Sequence, residues 1–490
     1  MPVSPAYRPD PRLAALGPEF ADSVEPAAFP MEKLRYRNQR AAATVGLDNL
    51  TDEEWLAAFA RFEALPDNQP QPLAMRYHGH QFGSYNPNLG DGRGFLFAQM
   101  REAGTGRLLD LGTKGSGKTP WSRFGDGRLT LKGGVREVLA TELLEALGVP
   151  TSKSFALVET GEQLHRGDEP SPTRSSVLTR LSWSNVRFGT FQRHAYNDRT
   201  DLIGSLVEHC VELYYPALAG AGPLGPAFLK AVMERTVRML ARWMAAGFVH
   251  GVLNTDNMNI NGESFDYGPY RFLPHNDTAF VAAYFDETGR YAFGRQPQAV
   301  AWNLRQLAGC LALVAPPEAL GEALTSFGPA YTDALAEAML DRLGLRRLNP
   351  EADVALADAA FSALAEGGAA LGWEPFFFDW FGGEASAARA LAGPRAGLYA
   401  SPAFTAFRDR ASAFEPADPA RLALPYFGRP DAETLLYDEI EALWTAIADH
   451  DDWSLFEAKL ARIGEARAGY GLHGDLAGRW SGGSAAEEAP

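Results

Sequence analysis

The sequence predicts an α+β fold of two lobes, β-rich first and helical second, with an extension at each end. Three observations carry the prediction. Between about residues 73 and 158, apolar runs at 95–98, 107–111, 129–131 and 154–158 alternate with Gly-rich turns, and one helical stretch at 135–147 interrupts them. After about residue 198 the chain turns to long Ala- and Leu-rich segments of helical period. Between the halves lies a loop of acids and amides, His250-Gly-Val-Leu-Asn-Thr-Asp256-Asn257, and then Asp266-Tyr267-Gly268. The expected division is an N-terminal extension at 1–70, a β-rich lobe at 71–197, and a helical lobe at 198–490 that holds the loop and a C-terminal helical extension.

Each element has a local reason. Thr51-Asp-Glu-Glu54 reads as a capping box that opens a helix over 55–62. In the stretch 135–147, Val135, Val138, Leu139, Leu143, Ala146 and Leu147 share one helical face, Gly148 closes it and Pro150 follows. The clearest later helix runs over 228–246 and stops at Gly247, just before His250. Residues 299–490 read as mostly helical, with loops near Pro316, Pro394 and Pro416 and a disordered tail over 481–490.

Composition narrows the function classes. A net charge of −16 argues against a nucleic-acid-coating protein, which needs a basic surface. Cys210 and Cys310, the only two cysteines, make neither a disulfide framework nor a zinc site, so a reducing, cytoplasmic setting is expected. No run of eighteen uncharged apolar residues occurs, the best being ten residues at 307–316, so no membrane association is expected.

The loop carries the chemistry. Protein kinases show H-R-D-x-x-x-x-N followed by D-F-G, and here His250, Asn257 and Asp266 fall in place. The position of the kinase catalytic aspartate holds Val252, which cannot accept a proton. Asn257 and Asp266 are oxygen donors suited to Mg²⁺, and Asp256 is the one carboxylate inside the loop that could replace the missing base. With the β-rich half before it and the helical half after it, the motif gives the layout of a protein-kinase-like two-lobed fold.

Cationic groups surround this motif in the sequence. Lys114 follows a strand-like run and Glu137 lies on the helix of the β-rich half, the arrangement by which kinase-like folds fix a phosphate-binding lysine. Gly90-Asp91-Gly92-Arg93 recurs as Gly125-Asp126-Gly127-Arg128, each offering backbone amides and a guanidinium to an anion or, equally, forming a hairpin turn. Arg180 and Arg187 add two more cations. Gly112-Thr-Lys-Gly-Ser-Gly117-Lys118-Thr119 matches the P-loop pattern, but the following Trp121-Ser-Arg-Phe-Gly125-Asp-Gly127 lacks the helix a P-loop requires. His78 and His80 suggest a metal pair but have no third ligand at metal spacing.

Tyr77-His-Gly-His-Gln-Phe-Gly83, the two Gly-Asp-Gly-Arg segments, Val186-Arg-Phe-Gly189, the His250 loop, Asp266-Tyr-Gly-Pro-Tyr270 and Arg295-Gln-Pro297 together resemble the selenoprotein O family over about residues 30–310. The resemblance implies a kinase-like protein adenylyltransferase whose ATP is turned around, so that the α-phosphate faces the acceptor. AMP, or UMP from UTP, would pass to a Ser, Thr or Tyr hydroxyl of a target protein or of the enzyme itself. It implies that Gly90, Gly92, Arg93, Lys114, Asp126, Gly127, Arg180 and Arg187 contact nucleotide and that Glu137 orients Lys114. Asn257 and Asp266 would hold Mg²⁺ or Mn²⁺, Asp266 also facing the nucleotide, and Asp256 would accept the proton. One departure is plain: many members carry a selenocysteine or cysteine near the C-terminus, and the segment Gly478-Arg479-Trp480-Ser481 has none, so redox control there is not expected. An ATP-binding pseudokinase scaffold, a protein kinase and a P-loop NTPase remain as alternatives.

Overall fold

The computed structural model describes residues 3–167, 169–220 and 223–472. The expected tail at 481–490 lies outside them. Twelve strands occur among the described residues: β1 Ala21–Ser23, β2 Lys33–Arg37, β3 Leu73–Met75, β4 Gly79–Gln81, β5 Ser84–Asn86, β6 Leu96–Arg101, β7 Leu108–Lys114, β8 Leu129–Thr130, β9 Lys153–Leu164, β10 Thr173–Ser182, β11 Phe248–Val249 and β12 Arg271–Phe272. Eight of them build one antiparallel sheet in the order β1-β3-β6-β7-β10-β9-β2, with β8 also pairing to β10. β4 pairs with β5 and β11 with β12 in separate two-stranded ribbons.

The β-rich half and the helical half are both present, as the apolar runs predict. The capping box at Thr51 is formed, and its helix, Asp52–Phe59, packs Trp55 flat on Phe155 of β9 at 5.0 Å. Three differences are informative. The helix expected at 135–147 runs Leu131–Ala146, because the Thr130 hydroxyl accepts from the Gly133 N–H and starts it early. β1 and β2, which fall within the expected N-terminal extension, form the two edges of the main sheet. The third difference is β10, a central strand that no apolar run announces. It pairs with β7, β8 and β9, and several of its polar side chains find partners inside the sheet: Ser175 bonds Thr160, Ser176 donates to the Thr130 carbonyl at 3.2 Å, and Arg174 grips Glu159 at 2.7 Å.

From Phe188–Tyr196 onward helices dominate. Leu224–Ala245 is the central one, packed by Phe327–Arg342, Gln296–Leu311 and Pro317–Ala323. Its apolar face delivers Gly247, whose φ of +62° only glycine adopts easily, and the chain then turns into β11 and the His250 loop. One helix, Pro350–Leu371, is long and apolar enough to cross a membrane by length and composition, although Asp353 and Asp358 interrupt it. It packs against Phe327–Arg342 and Pro402–Ala411. The last helix among the described residues, Ser454–Tyr470, returns to the β-rich half and lies along Leu131–Ala146.

Candidate active site

A cleft of about 670 Å³ opens where the main sheet meets the His250 loop. Gly90, Gly92, Arg93, Lys114, Asp126, Gly127, Arg180, Arg187, Asp256 and Asp266 all line it, so ten of the positions singled out in the sequence converge in space. Arg123, Arg128 and Arg166 line it as well, giving seven cationic side chains against four aspartates in a protein of net charge −16. Such a cleft focuses a positive field on a polyanionic ligand.

Lys114 is the last residue of β7 rather than a residue beyond it. Its ammonium bonds Glu137 and lies 2.7 Å from Asp266 Oδ1. Arg180, from β10, reaches the same Asp266 oxygen at 3.3 Å and Glu137 at 3.7 Å. Glu137 is buried behind Lys114 and does not line the cleft; its role is to hold the lysine. Burial opposes the charge of Asp266, but Lys114, Arg180, Arg187 and Arg93 outweigh it and hold the carboxyl well below its ordinary range. Asp266 sits at a φ of +65°, a conformation a non-glycine residue keeps only when its surroundings demand it.

Asp256 has the opposite environment. Its side chain is buried, Oδ1 has no hydrogen-bond partner, and burial pushes the carboxyl up to about 6 although Arg187 pulls it down. Arg187 donates to the Asp256 carbonyl at 3.0 Å, pairs with Asp91 at 3.3 Å and stacks on Tyr77 and Phe265. Room for the carboxylate comes from Gly79 on β4, where a Cβ would meet Asp256 Oδ1 at 2.7 Å. The β4–β5 ribbon holds the loop in place: the His80 N–H donates to Thr255 Oγ1 at 2.7 Å and the Phe82 N–H to Asn254 Oδ1 at 3.0 Å. Gln192 Oε1 accepts from the Thr255 hydroxyl at 2.5 Å. Sequence reasoning missed this clamp, because its bonds come largely from backbone N–H groups that no side-chain pattern reveals.

Asn257 does not line the cleft. Its amide donates to the Val252 carbonyl at 3.0 Å, which leaves Oδ1 as its available acceptor. His250 is structural: Nε2 meets the Phe265 carbonyl at 3.0 Å and its backbone N–H donates to Gln296. His78 spends both ring nitrogens on Tyr85 and Arg193, and His80 Nδ1 meets Gln192 at 2.7 Å. Among the described residues no cluster of three metal-ligating side chains occurs.

The two Gly-Asp-Gly-Arg loops are not equivalent. The first is tied to the residues that lead into the second, Thr119 Oγ1 donating to the Asp91 carbonyl at 2.5 Å and Ser122 Oγ to the Gly92 carbonyl at 2.6 Å. Gly90 is required by the Trp121 ring, which a Cβ would meet at 2.3 Å. In the second loop Arg128 is tied to Glu162 at 2.7 Å and Asp126 to Arg166 at 2.7 Å, while Arg93 of the first loop is exposed to the cleft. The P-loop match fails on geometry. No helix follows Lys118 until Leu131, and Lys118 is exposed and outside the cleft.

A sheet-borne lysine paired to a helix-borne glutamate, an ionised aspartate on the lysine, and a buried unpartnered aspartate opposite define an enzyme site for a polyanion. The chain belongs to the SelO family: its residues 6–391 match the family model described as protein adenylyltransferase SelO. It is 50% identical over 368 residues to protein nucleotidyltransferase YdiU of Synechocystis sp., covering 73% of this chain and 76% of that one. It is 44% identical over 468 residues to the protein of the same name from Gloeobacter violaceus, covering 93% and 94%. For the Pseudomonas putida protein the identity is 39% over 361 residues, covering 73% of each.

Proposed function

We propose that the chain transfers AMP from ATP, or UMP from UTP, to a Ser, Thr or Tyr hydroxyl of a protein, releasing pyrophosphate. Family membership and the named relatives support nucleotidyl transfer to protein. One observation carries the mechanism: the buried, unpartnered Asp256 faces the cationic cleft while Val252 occupies the kinase base position.

In this reading the two lobes are kinase-like, with β7 and the helix Leu131–Ala146 supplying the Lys114–Glu137 pair. Lys114, Arg93, Arg180 and Arg187 bind the triphosphate, and the glycines Gly90, Gly92 and Gly127 with Asp126 shape the loops against it. Asp256 takes the proton of the acceptor hydroxyl as that oxygen bonds the α-phosphorus. The bond from that phosphorus to the β-bridging oxygen breaks, and pyrophosphate leaves with the electron pair. A carboxylate poised near 6 is a competent base at neutral pH.

The donor set fits a hard divalent cation, Mg²⁺ or Mn²⁺. Asp266 is held ionised, its Oδ2 makes none of the bonds to Lys114 or Arg180, and Asn257 keeps an acceptor oxygen. When bound, such an ion neutralises phosphate charge as it develops. Both cysteines are buried and free, which suits a reducing compartment such as the cytoplasm.

The test compares ATP labelled at the α-phosphate with ATP labelled at the γ-phosphate, using the protein itself and mixed proteins as acceptors. Label on protein from the α position alone, with pyrophosphate released, is expected. Label from the γ position alone makes the chain a kinase. Nucleotide binding with no transfer makes it a scaffold.

A further inference from the structure

A second groove, of about 390 Å³, adjoins the nucleotide cleft and shares Arg93, Lys114 and Arg166 with it. Its wall is built from the start of the helix Leu131–Ala146, from the residues after Asp266, and from Tyr437. Two of its guanidiniums bond backbone carbonyls and stack on rings, Arg136 at 4.7 Å from Tyr270 and Arg271 at 4.1 Å from Tyr437. Arg136 donates to the carbonyls of Gly268 and Tyr270 at 3.2 Å, and Arg271 to those of Pro269 and Tyr270 at 3.1 and 2.9 Å. Neither makes an ion pair with a carboxylate among the described residues, and burial and then Arg136 disfavour the charge of Arg271. The carboxylates Glu137 and Glu441 on the same wall are engaged by Lys114 and Lys132, and Glu169 also lines it.

Two neighbouring guanidiniums with no carboxylate in an ion pair keep donors that an incoming anion can take. The rim adds apolar area: Tyr284 is 80% exposed, Phe285 46% and Tyr437 43%. Phe285 also ties the groove to the chemistry. Its ring lies 5.8 Å from Phe82, whose N–H bonds Asn254, two residues before Asp256. The groove therefore runs from the cations it shares with the nucleotide cleft to the edge of the loop that carries the base.

We propose that this groove receives an acidic, aromatic-flanked segment of the acceptor protein and presents its hydroxyl toward Asp256. The inference rests on the nucleotidyl-transfer reading above. Arg136 and Arg271 grip carboxylates of the acceptor, and Tyr284, Phe285 and Tyr437 cover its apolar side chains. Charge complementarity selects the occupant, since a basic segment would meet Arg93, Arg136 and Arg271 together.

The experiment uses the full chain with two fluorescent peptides, one rich in glutamate and one rich in lysine, each holding Ser, Thr and Tyr. Binding is measured by anisotropy with α,β-methylene ATP present, and transfer with α-labelled ATP. The glutamate peptide is expected to bind at least about ten-fold tighter than the lysine peptide and to be labelled preferentially. Arg271→Gln should raise its Kd and KM by about ten-fold without changing the KM for ATP. Tyr284→Ala, at an exposed position that folding does not need, should raise them by a few fold. Equal binding of both peptides overturns the proposal. So does an Arg271→Gln effect confined to ATP or to product inhibition by pyrophosphate, which would make the groove part of the nucleotide site. Selective binding of the glutamate peptide without any transfer leaves the groove standing and sinks the transferase reading instead.

Discussion

In the same cleft Asp256 Oδ1 has no hydrogen-bond partner while Lys114 serves two carboxylates, and each yields a prediction. Burial raises the Asp256 carboxyl to about 6, above its ordinary value of 3.8, so the fold favours the neutral acid. The carboxylate is therefore a destabilising group whose cost grows as pH rises from 3.8 toward 6 and is constant above that. Asp256→Asn should raise thermal stability at pH 8 by on the order of 2 kcal/mol and leave it unchanged at pH 4. The same variant should lose about 10²–10⁴-fold in kcat while keeping its affinity for ATP, measured by single-turnover kinetics and calorimetry. For the unaltered enzyme, kcat/KM should rise ten-fold per pH unit below about 6 and level off above it. Lys114 is a buried cation serving two carboxylates. Lys114→Met should cost about 3–5 kcal/mol and abolish ATP binding. Lys118→Ala, at an exposed position outside the cleft, should shift neither stability nor ATP affinity by more than about 0.5 kcal/mol. A loss of ATP binding in the Lys118 variant alone would restore the P-loop reading.

The elements that hold these residues were legible to different degrees, and the reasons are physical. Helices with a strong apolar face, such as Leu224–Ala245, and a helix with a side-chain cap, Asp52–Phe59, announce themselves in sequence. β10 does not, because Arg174, Ser175 and Ser176 break any apolar pattern and find their partners inside the sheet. Arg180 could be named from its charge, but its place on a central strand facing Asp266 could not. The β4–β5 ribbon is three residues to a strand, too short for any period, and it works through backbone donors. Gly79 is its most demanding position. Gly79→Ala should press a methyl against the Asp256 carboxylate and lower kcat by about ten-fold or more, with about 1–3 kcal/mol of destabilisation. Gly104→Ala, where a Cβ meets nothing within 4 Å, is the silent control. Equal activity of the two variants would remove the ribbon from any role in placing the base.

Across the whole molecule, the two halves are joined far from the cleft by contacts no local pattern could show. β1 and β2 close the edges of the main sheet from the first forty residues, and the final helix, Ser454–Tyr470, packs along Leu131–Ala146, the helix that carries Glu137. Glu142 on that helix is the meeting point. It accepts from Tyr36 at 2.8 Å, Asn38 at 3.1 Å and Arg40 at 3.2 Å, and it bonds Arg467 from the far end of the chain. Arg467 also lies 3.3 Å from Glu145, whose carboxyl is driven well below its ordinary range by Lys153, Arg40 and Arg467 although burial opposes it. Because Glu137 sits on the same rigid helix, these bonds fix the lysine as well as the fold. Arg467→Ala removes one of several partners of Glu142, so the loss should be about 1–3 kcal/mol rather than the larger cost of stranding a buried charge. If the final helix also sets the position of Glu137, the variant should bind ATP a few fold more weakly at a temperature where it is fully folded, and Arg467→Lys should recover part of both losses. A drop in melting temperature with unchanged ATP affinity would separate the two effects, leaving the final helix as a brace for the β-rich half and no part of the positioning of Lys114.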